Sequence, residues 1–209
     1  MALRIKSIEV GSFAANCYLV SCEDTKEAVL IDPGAEAKKI LQMVAEAGVT
    51  VKYVLNTHGH IDHMGADAEV SQALGAPLYI HEGDHLLIQN PRDDLAAYQG
   101  VAKPAKADGF LQDGDIIRFG KEELKVLSTP GHSPGSVCFY NEKEKVLFSG
   151  DTLFAGSIGR TDFPGGSFPQ IISSIKEKLL VLPEDTVVLP GHGPASTIGA
   201  EKRYNPFLQ

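Results

Sequence analysis

Three histidines and one aspartate lie within six consecutive positions of this chain. They are His58, His60, Asp62 and His63, in the segment 57–65 that follows an apolar run. Imidazole nitrogen and carboxylate oxygen are ligands that borderline divalent ions prefer. The alternative is a polar turn in which Asp62 is the N-cap of a helix over 64–74. Because four ligand-type residues are so close together, the pattern favours a metal site.

Further ligand-type residues follow apolar segments that have the composition of buried strands. Such strands have rigid ends, and residues just beyond their carboxyl ends can converge at one edge of a sheet. We therefore expect these side chains to share a site, although each alone is also typical of an ordinary turn. The pairs are strand 51–55 with His58, strand 124–127 with His132, strand 146–148 with Asp151 and strand 186–189 with His192.

Strand and helix patterns alternate along the chain, which predicts an α/β fold. Segment 82–109 is weaker and predicts an irregular excursion with a short helix at 86–88. The predicted strands are 3–10, 16–21, 28–31, 51–55, 77–80, 124–127, 136–140, 146–148 and 186–189, and the predicted helices are 35–47, 64–74, 171–180 and 197–204.

Composition restricts the class of protein. The 209 residues, 43% of them hydrophobic, suit one globular domain. A net charge of −8 argues against nucleic acid as a partner. The chain shows neither a secretory signal nor an apolar run long enough to span a bilayer, so we expect no membrane association and a cytoplasmic location. Cys17, Cys22 and Cys138 are odd in number and look like small buried hydrophobic residues.

Several motifs resemble those of one family. Besides the cluster, they are Thr-Pro-Gly-His-Ser-Pro-Gly-Ser over 129–136, Ser-Gly-Asp-Thr-Leu-Phe over 149–154, Gly-Arg-Thr-Asp-Phe over 159–163 and Leu-Pro-Gly-His-Gly over 189–193. Together they resemble the metallo-β-lactamase superfamily, in particular its single-domain glyoxalase II-like (hydroxyacylglutathione hydrolase-like) members. The resemblance implies a four-layered αββα sandwich that occupies residues 1–209, without the C-terminal helical domain that binds glutathione in two-domain relatives.

The resemblance also implies roles for individual residues. It places two divalent ions, zinc with iron or manganese as alternatives, and makes Asp62 and Asp151 catalytic. Two such ions can activate a bridging hydroxide and polarise a carbonyl. Asp32, at the end of strand 28–31, would orient ligands without binding metal, or would serve only the turn. The implied ligands are His58, His60 and His132 for one ion, Asp62, His63 and His192 for the other, and Asp151 for both.

The departures from the family pattern also carry expectations. Two-zinc metallo-β-lactamases have a cysteine where this chain has Asp151, so we do not expect antibiotic hydrolysis. The chain ends 17 residues after His192, which leaves glutathione specificity open. His81 and His85 fall outside the pattern, and we assign them to structure or surface.

Three functions are compatible with these residues. The first is hydrolysis of a small-molecule thioester such as S-lactoylglutathione, by a monomer or homodimer. The second is a persulfide dioxygenase-like oxidoreductase, with a single Fe(II) held by His58, His132 and Asp151. The third is a non-catalytic domain that metal stabilises. Arg160 is the candidate anchor for a substrate carboxylate, and its alternative is a local salt bridge to Asp162.

Overall fold

The first of two large sheets is formed by the N-terminal half of the chain. The computed structural model describes residues 3–90 and 104–209. This sheet has six strands in chain order, antiparallel from the first to the third and parallel from the third to the sixth. The strands are β1 (Leu3–Val10), β2 (Ala15–Cys22), β3 (Glu27–Ile31), β4 (Thr50–Leu55), β5 (Leu78–His81) and β6 (Gly109–Leu111).

The C-terminal half forms the second sheet and a small hairpin. The sheet strands are β7 (Ile116–Phe119), β8 (Glu122–Ser128), β9 (Val137–Asn141), β10 (Val146–Gly150), β13 (Val187–Pro190) and β14 (Ser196–Thr197), and the hairpin strands are β11 (Leu153–Phe154) and β12 (Ser157–Ile158). The order in the sheet is β14-β13-β10-β9-β8-β7. β8 and β10 are both antiparallel to β9, and β13 is parallel to β10. The carboxyl ends of β8, β10 and β13 therefore lie at the same edge.

Helices cover the outer face of each sheet. The helices packed on the first sheet are α1 (Ala37–Ala47), α2 (Ile61–Met64), α3 (Asp67–Leu74) and α4 (His85–Gln89). The helices packed on the second sheet are α5 (Phe168–Ser174) and α6 (Ile198–Tyr204). Helix α5 continues as a π-helical turn over Ile175–Leu179. In α1 the apolar residues Ile40, Met43 and Val44 recur at helical spacing and are buried. The helices thus form the two outer layers.

The inner faces of the two sheets share one hydrophobic core. Val20 and Ile31 of the first sheet pack in the same cluster as Phe139 and Phe148 of the second. The ring of Tyr18 meets that of Phe148 edge to face, with 5.2 Å between centroids. Helix, sheet, sheet and helix therefore stack in that order, and the predicted αββα sandwich is confirmed.

Local differences from the predicted elements have identifiable causes. The helix predicted over 64–74 is divided into α2 and α3, because the N–H of Ala66 donates to the carbonyl of Pro33 at 2.9 Å rather than to a helical partner. The excursion contains the predicted short helix, as α4, and ends where strand β6 begins, while its residues 91–103 lie outside the described part of the chain. Within the described residues, no helix is long and apolar enough to cross a bilayer.

Candidate metal centre

Five strand ends bring the predicted ligands and Asp32 to one edge of the sandwich. β3 and β4 of the first sheet are parallel neighbours, so Asp32 and the histidine cluster follow at the same side. β8, β10 and β13 of the second sheet end there too, and the turns after them carry His132, Asp151 and His192. The fold thus explains why residues from distant parts of the sequence meet.

A first group of ligand atoms is formed by His58, His60 and His132. Their nitrogen atoms all lie within 4.8 Å of one another. His60 Nδ1 is 2.9 Å from His132 Nε2. Three imidazoles converging at this distance match the donor set of a borderline divalent ion.

A second group of ligand atoms is formed by Asp62, His63 and His192. His192 Nε2 lies 3.1 Å from both His63 Nε2 and Asp62 Oδ2. The distance from His63 Nε2 to Asp62 Oδ2 is 3.6 Å. Asp62 is not the N-cap of α2, since His60 occupies that position. Its carboxylate faces the imidazoles instead.

The carboxylate of Asp151 lies between the two groups. Its Oδ1 atom is 3.3 Å from His63 Nε2, and its Oδ2 atom is 3.6 Å from both His132 Nε2 and His192 Nε2. One carboxylate therefore contacts ligands of both groups. This arrangement is the one that the bridging role requires.

Two buried atoms at the centre have no hydrogen-bond partner among the described residues. They are His58 Nε2 and Asp151 Oδ1, and the contact of the latter with His63 is an ion pair without hydrogen-bond geometry. Leaving a buried polar atom unsatisfied costs about 1–3 kcal/mol. A metal ion in each group would satisfy both atoms, so the residues fit the two ions that the sequence predicts.

Hydrogen bonds at Nδ1 orient four of the five histidines. Each bond uses the ring nitrogen that does not face the other ligands and leaves Nε2 free to bind metal. Thr57 Oγ1 donates to Asp32 Oδ2 and can therefore only accept from His58. The four Nδ1 partners are Thr57 Oγ1 for His58 at 3.0 Å, Asp32 Oδ2 for His63 at 3.1 Å, Arg160 O for His132 at 2.7 Å and Phe13 O for His192 at 3.0 Å.

Asp32 contacts the predicted ligand His63 and Thr57, which directly precedes His58, but it belongs to neither ligand group. Its carboxylate accepts hydrogen bonds from the N–H and the hydroxyl of Thr57, both at 2.7 Å, and contacts His63. Its backbone has a φ of 52°, in the left-handed region that few residues other than glycine adopt. The geometry favours the orienting role over a role in the turn alone.

Burial and mutual charge set the protonation of the ligands. Burial, with the charges of neighbouring histidines, lowers the pKa of His58 and lowers that of His60 to about 4. Burial acts in the same direction on His63, but the charges of Asp151 and Asp62 outweigh it and raise the pKa of that imidazole. Burial raises the pKa of Asp151, and the charge of His63 overcomes this and lowers it. Without metal, these shifts favour neutral imidazoles at His58 and His60 and a protonated one at His63 near neutral pH.

A family model matches the sequence of this chain, and solved structures match its fold. The family model described as metallo-beta-lactamase superfamily matches residues 10–192. The chain belongs to the metallo-β-lactamase superfamily. It is 40% identical to "Hydroxyacylglutathione hydrolase GloC" of Haemophilus influenzae over 99% of this chain and 98% of that protein.

Members of the metallo-β-lactamase superfamily with solved structures have different descriptions. BLEG-1, described as a B3 metallo-beta-lactamase, superposes with a TM-score of 0.89 at 40% identity and covers 98% of this chain and 99% of its own. TTHA1623, in a di-iron-bound form, has a TM-score of 0.86 at 41% identity, with 97% and 100% covered. ETHE1 of Myxococcus xanthus has a TM-score of 0.79 at 32% identity, with 99% and 84% covered. Membership of this superfamily supports the interpretation of this chain as a metal-dependent enzyme.

A pocket of about 470 Å³ opens beside the metallo-β-lactamase-type centre. Arg160 lines it, and its guanidinium is paired with Asp162 at 2.7 and 2.6 Å and lies 4.0 Å over the ring of Phe163. The alternative role of Arg160, a local salt bridge to Asp162, is thus present, and its role as anchor for a substrate carboxylate stays a prediction. The other lining residues are Phe13, His60, Ile61, Asp62, Leu87, His132, Asp151, Phe163, Pro164 and His192.

Sequence reasoning missed the residues of β2 that hold the turn of His192. Asn16 Nδ2 donates to the carbonyls of Pro190 and Gly193, both at 3.0 Å, and Tyr18 Oη donates to Pro190 at 2.6 Å. A lone asparagine in an apolar strand was the available signal, because a buried amide requires partners. His81 and His85 instead make local contacts, with Gly83 and Glu82.

Proposed function

We propose that this protein is a two-metal hydrolase that cleaves a small-molecule thioester, S-lactoylglutathione or a related compound, to a carboxylate and a free thiol. The observation that carries the proposal is the position of Asp151. Its carboxylate contacts both ligand groups at the floor of a pocket that a small molecule can enter. The 40% identity to GloC over nearly the full length of both chains supports the thioester as substrate.

The metal ions supply the part of the chemistry that protein side chains lack. Two divalent ions, zinc with iron or manganese as alternatives, would lower the pKa of a water held between them and polarise the substrate carbonyl. His58, His60 and His132 would hold one, and Asp62, His63 and His192 the other, with Asp151 shared. Asp62 and Asp151 are the two carboxylates of this proposed ligand set that also line the pocket.

The pocket favours a substrate with a good leaving group. Its described lining contains no lysine, tyrosine or cysteine that could donate a proton to a leaving group. A thiol has a pKa of about 8.5, so a thiolate departs from a thioester with little help, unlike an alkoxide or an amide nitrogen. Phe13, Ile61, Leu87 and Phe163 provide apolar contacts, and Arg160 provides one positive charge.

A second candidate is a persulfide dioxygenase-like reaction with a single Fe(II). The 32% identity to ETHE1 over 99% of this chain favours it. His58, His132 and Asp151 would be the ligands, and His132 Nε2 and Asp151 Oδ2 are 3.6 Å apart. A site of two histidines and one carboxylate with open positions suits iron and oxygen.

One purified preparation can distinguish these reactions. We expect protein loaded with zinc or with iron to hydrolyse S-lactoylglutathione and to consume no oxygen with glutathione persulfide. Asp151→Asn should abolish thioester turnover. Asp185→Asn, which changes an exposed carboxylate paired with Lys145, should leave it unchanged. Oxygen uptake with persulfide, while thioester absorbance stays constant, would reverse the order of the two candidates.

A β-lactam belongs in the same assay, because BLEG-1 is described as a metallo-beta-lactamase. The aspartate at position 151 leads us to expect no hydrolysis of it. Turnover of a β-lactam at a rate comparable to that of the thioester would show that the expectation drawn from the missing cysteine was wrong.

A further inference from the structure

A buried carboxylate outside every family-like motif touches both loops that carry the first group of ligands. Asp84 lies in a 3₁₀ turn over Glu82–Asp84, directly before α4, and it is fully buried. Its Oδ2 atom accepts from the N–H of Gly59 at 2.9 Å and from the hydroxyl of Ser133 at 2.6 Å. Its Oδ1 atom accepts from the N–H of Gly135 at 2.7 Å.

Two of the three donors to Asp84 are immediate neighbours of predicted metal ligands, and the third, Gly135, lies three residues after His132. Gly59 stands between His58 and His60, and Ser133 directly follows His132. One carboxylate therefore fixes the backbone on both sides of the first ligand group, although it is not itself one of the ligands. Asp84 makes no such contact with the segments that carry Asp151 and His192.

Two glycines allow this contact to form. A Cβ atom on Gly59 would lie 2.9 Å from the carbonyl oxygen of Asp84 and 2.9 Å from Leu87 Cβ. A Cβ atom on Gly135 would lie 2.7 Å from the Asp84 nitrogen and 2.8 Å from its Oδ1. The close packing leaves the two ligand loops little room to move relative to Asp84.

We infer that Asp84 is a positioning residue for the first metal site, which sets the separation of His58 and His60 from His132 by holding both of their loops. The inference rests on the proposed two-metal centre. Asparagine at this position keeps the volume but has a single acceptor oxygen, and its NH₂ group would face a donor of Gly59, Ser133 or Gly135. In either orientation the amide loses at least one of the three hydrogen bonds and places its NH₂ group against the N–H of Gly59 or of Gly135, without opening a cavity.

The test measures each site separately by Co²⁺ titration, with the visible absorption spectrum and elemental analysis as readouts. His192→Ala leaves the first site, and His132→Ala leaves the second. We expect Asp84→Asn to weaken Co²⁺ binding about 10- to 100-fold in the His192→Ala background and to shift its absorption bands. In the His132→Ala background, Asp84→Asn should change the Co²⁺ affinity by no more than about 2-fold. Such a change is smaller than the roughly 10-fold loss typical of removing a contact that supports a metal ligand.

Glu201→Gln is the matched control. Glu201 is also buried and accepts several hydrogen bonds, from Gly156 N–H, Ser196 and Asn205, but none of these partners is adjacent in sequence to a predicted metal ligand. Glu201→Gln should lower the melting temperature without changing the Co²⁺ affinity. Ser133→Ala, which removes only one of the three donors, replaces Asp84→Asn if that variant does not fold. A smaller loss of Co²⁺ affinity, confined to the first site, is then expected.

The outcomes separate this inference from the proposed function. Wild-type protein that binds no Co²⁺ would contradict the two-metal hydrolase itself. Wild-type protein that binds two ions, with equal losses at both sites in Asp84→Asn or none at either, would overturn the positioning role alone.

Discussion

The Nδ1 atom of His132 donates a hydrogen bond to the backbone carbonyl of Arg160 at 2.7 Å. A metal ligand and a residue of the pocket wall are thus joined through the main chain. The guanidinium of Arg160 takes no part in this bond, because it is directed to Asp162 and Phe163. The side chain of Arg160 can therefore be removed while the orientation of His132 is kept.

Removing that side chain tests how substrate is anchored. We expect Arg160→Ala to raise KM for anionic thioesters with little change in kcat, since a guanidinium that grips a carboxylate acts equally in the ground and transition states. The loss should correspond to one charged hydrogen bond, about 1.5–3 kcal/mol of binding free energy. Steady-state kinetics with S-lactoylglutathione gives both constants.

Asp162→Asn is the control for Arg160→Ala, because it removes the local partner of the guanidinium and leaves the guanidinium in place. We expect KM for the same thioester to fall or stay constant in this variant. The ion pair is exposed, so neither variant should change the melting temperature much. An unchanged KM in Arg160→Ala, together with a lower melting temperature, would remove Arg160 from the substrate site.

The two ligand groups lead to a prediction of metal stoichiometry. Elemental analysis of protein prepared with excess zinc should give two ions per chain. His58→Ala should reduce binding at the first site, His192→Ala at the second, and Asp151→Ala at both, because the Asp151 carboxylate contacts ligands of both groups. His85→Ala, a histidine outside the centre, is the matched control and should retain two ions.

Two results would contradict this assignment of ligands. A wild-type stoichiometry of one ion per chain would favour the single-iron oxidoreductase. Equal losses in His58→Ala, His192→Ala and Asp151→Ala would show that the two groups do not act as separate sites.

The fold and the convergence of the candidate ligands were predictable from the sequence because their signals are local. Strand and helix periodicity, and a motif such as 57–65, can be recognised within a few residues. Asp84 gave no such signal, and Asn16 gave only that of a lone asparagine in an apolar strand. Asn16 binds Pro190 across 174 positions, and Asp84 binds Ser133 across 49. The role of such a residue depends on which loops the tertiary fold brings beside it, and one polar residue in a strand or turn does not reveal that.

Protonation in the metal-free protein predicts a difference between the sites. His58 and His60 have lowered pKa values, that of His60 about 4, so they bind metal near neutral pH without losing a proton. His63 has a raised pKa and must release its proton when metal binds. As pH falls from neutrality, affinity should therefore decline first at the second site.

Calorimetry in buffers of different ionisation enthalpy measures this proton release. His132→Ala protein, which keeps the second site, should release more protons per Zn²⁺ ion at neutral pH than His192→Ala protein, which keeps the first. Equal release from the two variants, or more from His192→Ala, would show that the assigned protonation of His63 is wrong.

Gly191 offers a way to disturb the bridging carboxylate from a neighbouring strand end. A Cβ atom there would lie 2.2 Å from Asp151 Oδ1 and 2.7 Å from His63 Cε1. Both are side-chain atoms that can rotate away, so we expect Gly191→Ala to fold, to bind less zinc and to lose about 10- to 100-fold in thioester turnover.

Gly75→Ala is the control, because its Cβ would meet nothing within 4 Å and its φ of 61° causes only local strain, about 1–2 kcal/mol. It should lower the melting temperature and retain full zinc content. If Gly191→Ala also retained two zinc ions and full turnover, the position of Asp151 between the two ligand groups would not be needed for catalysis.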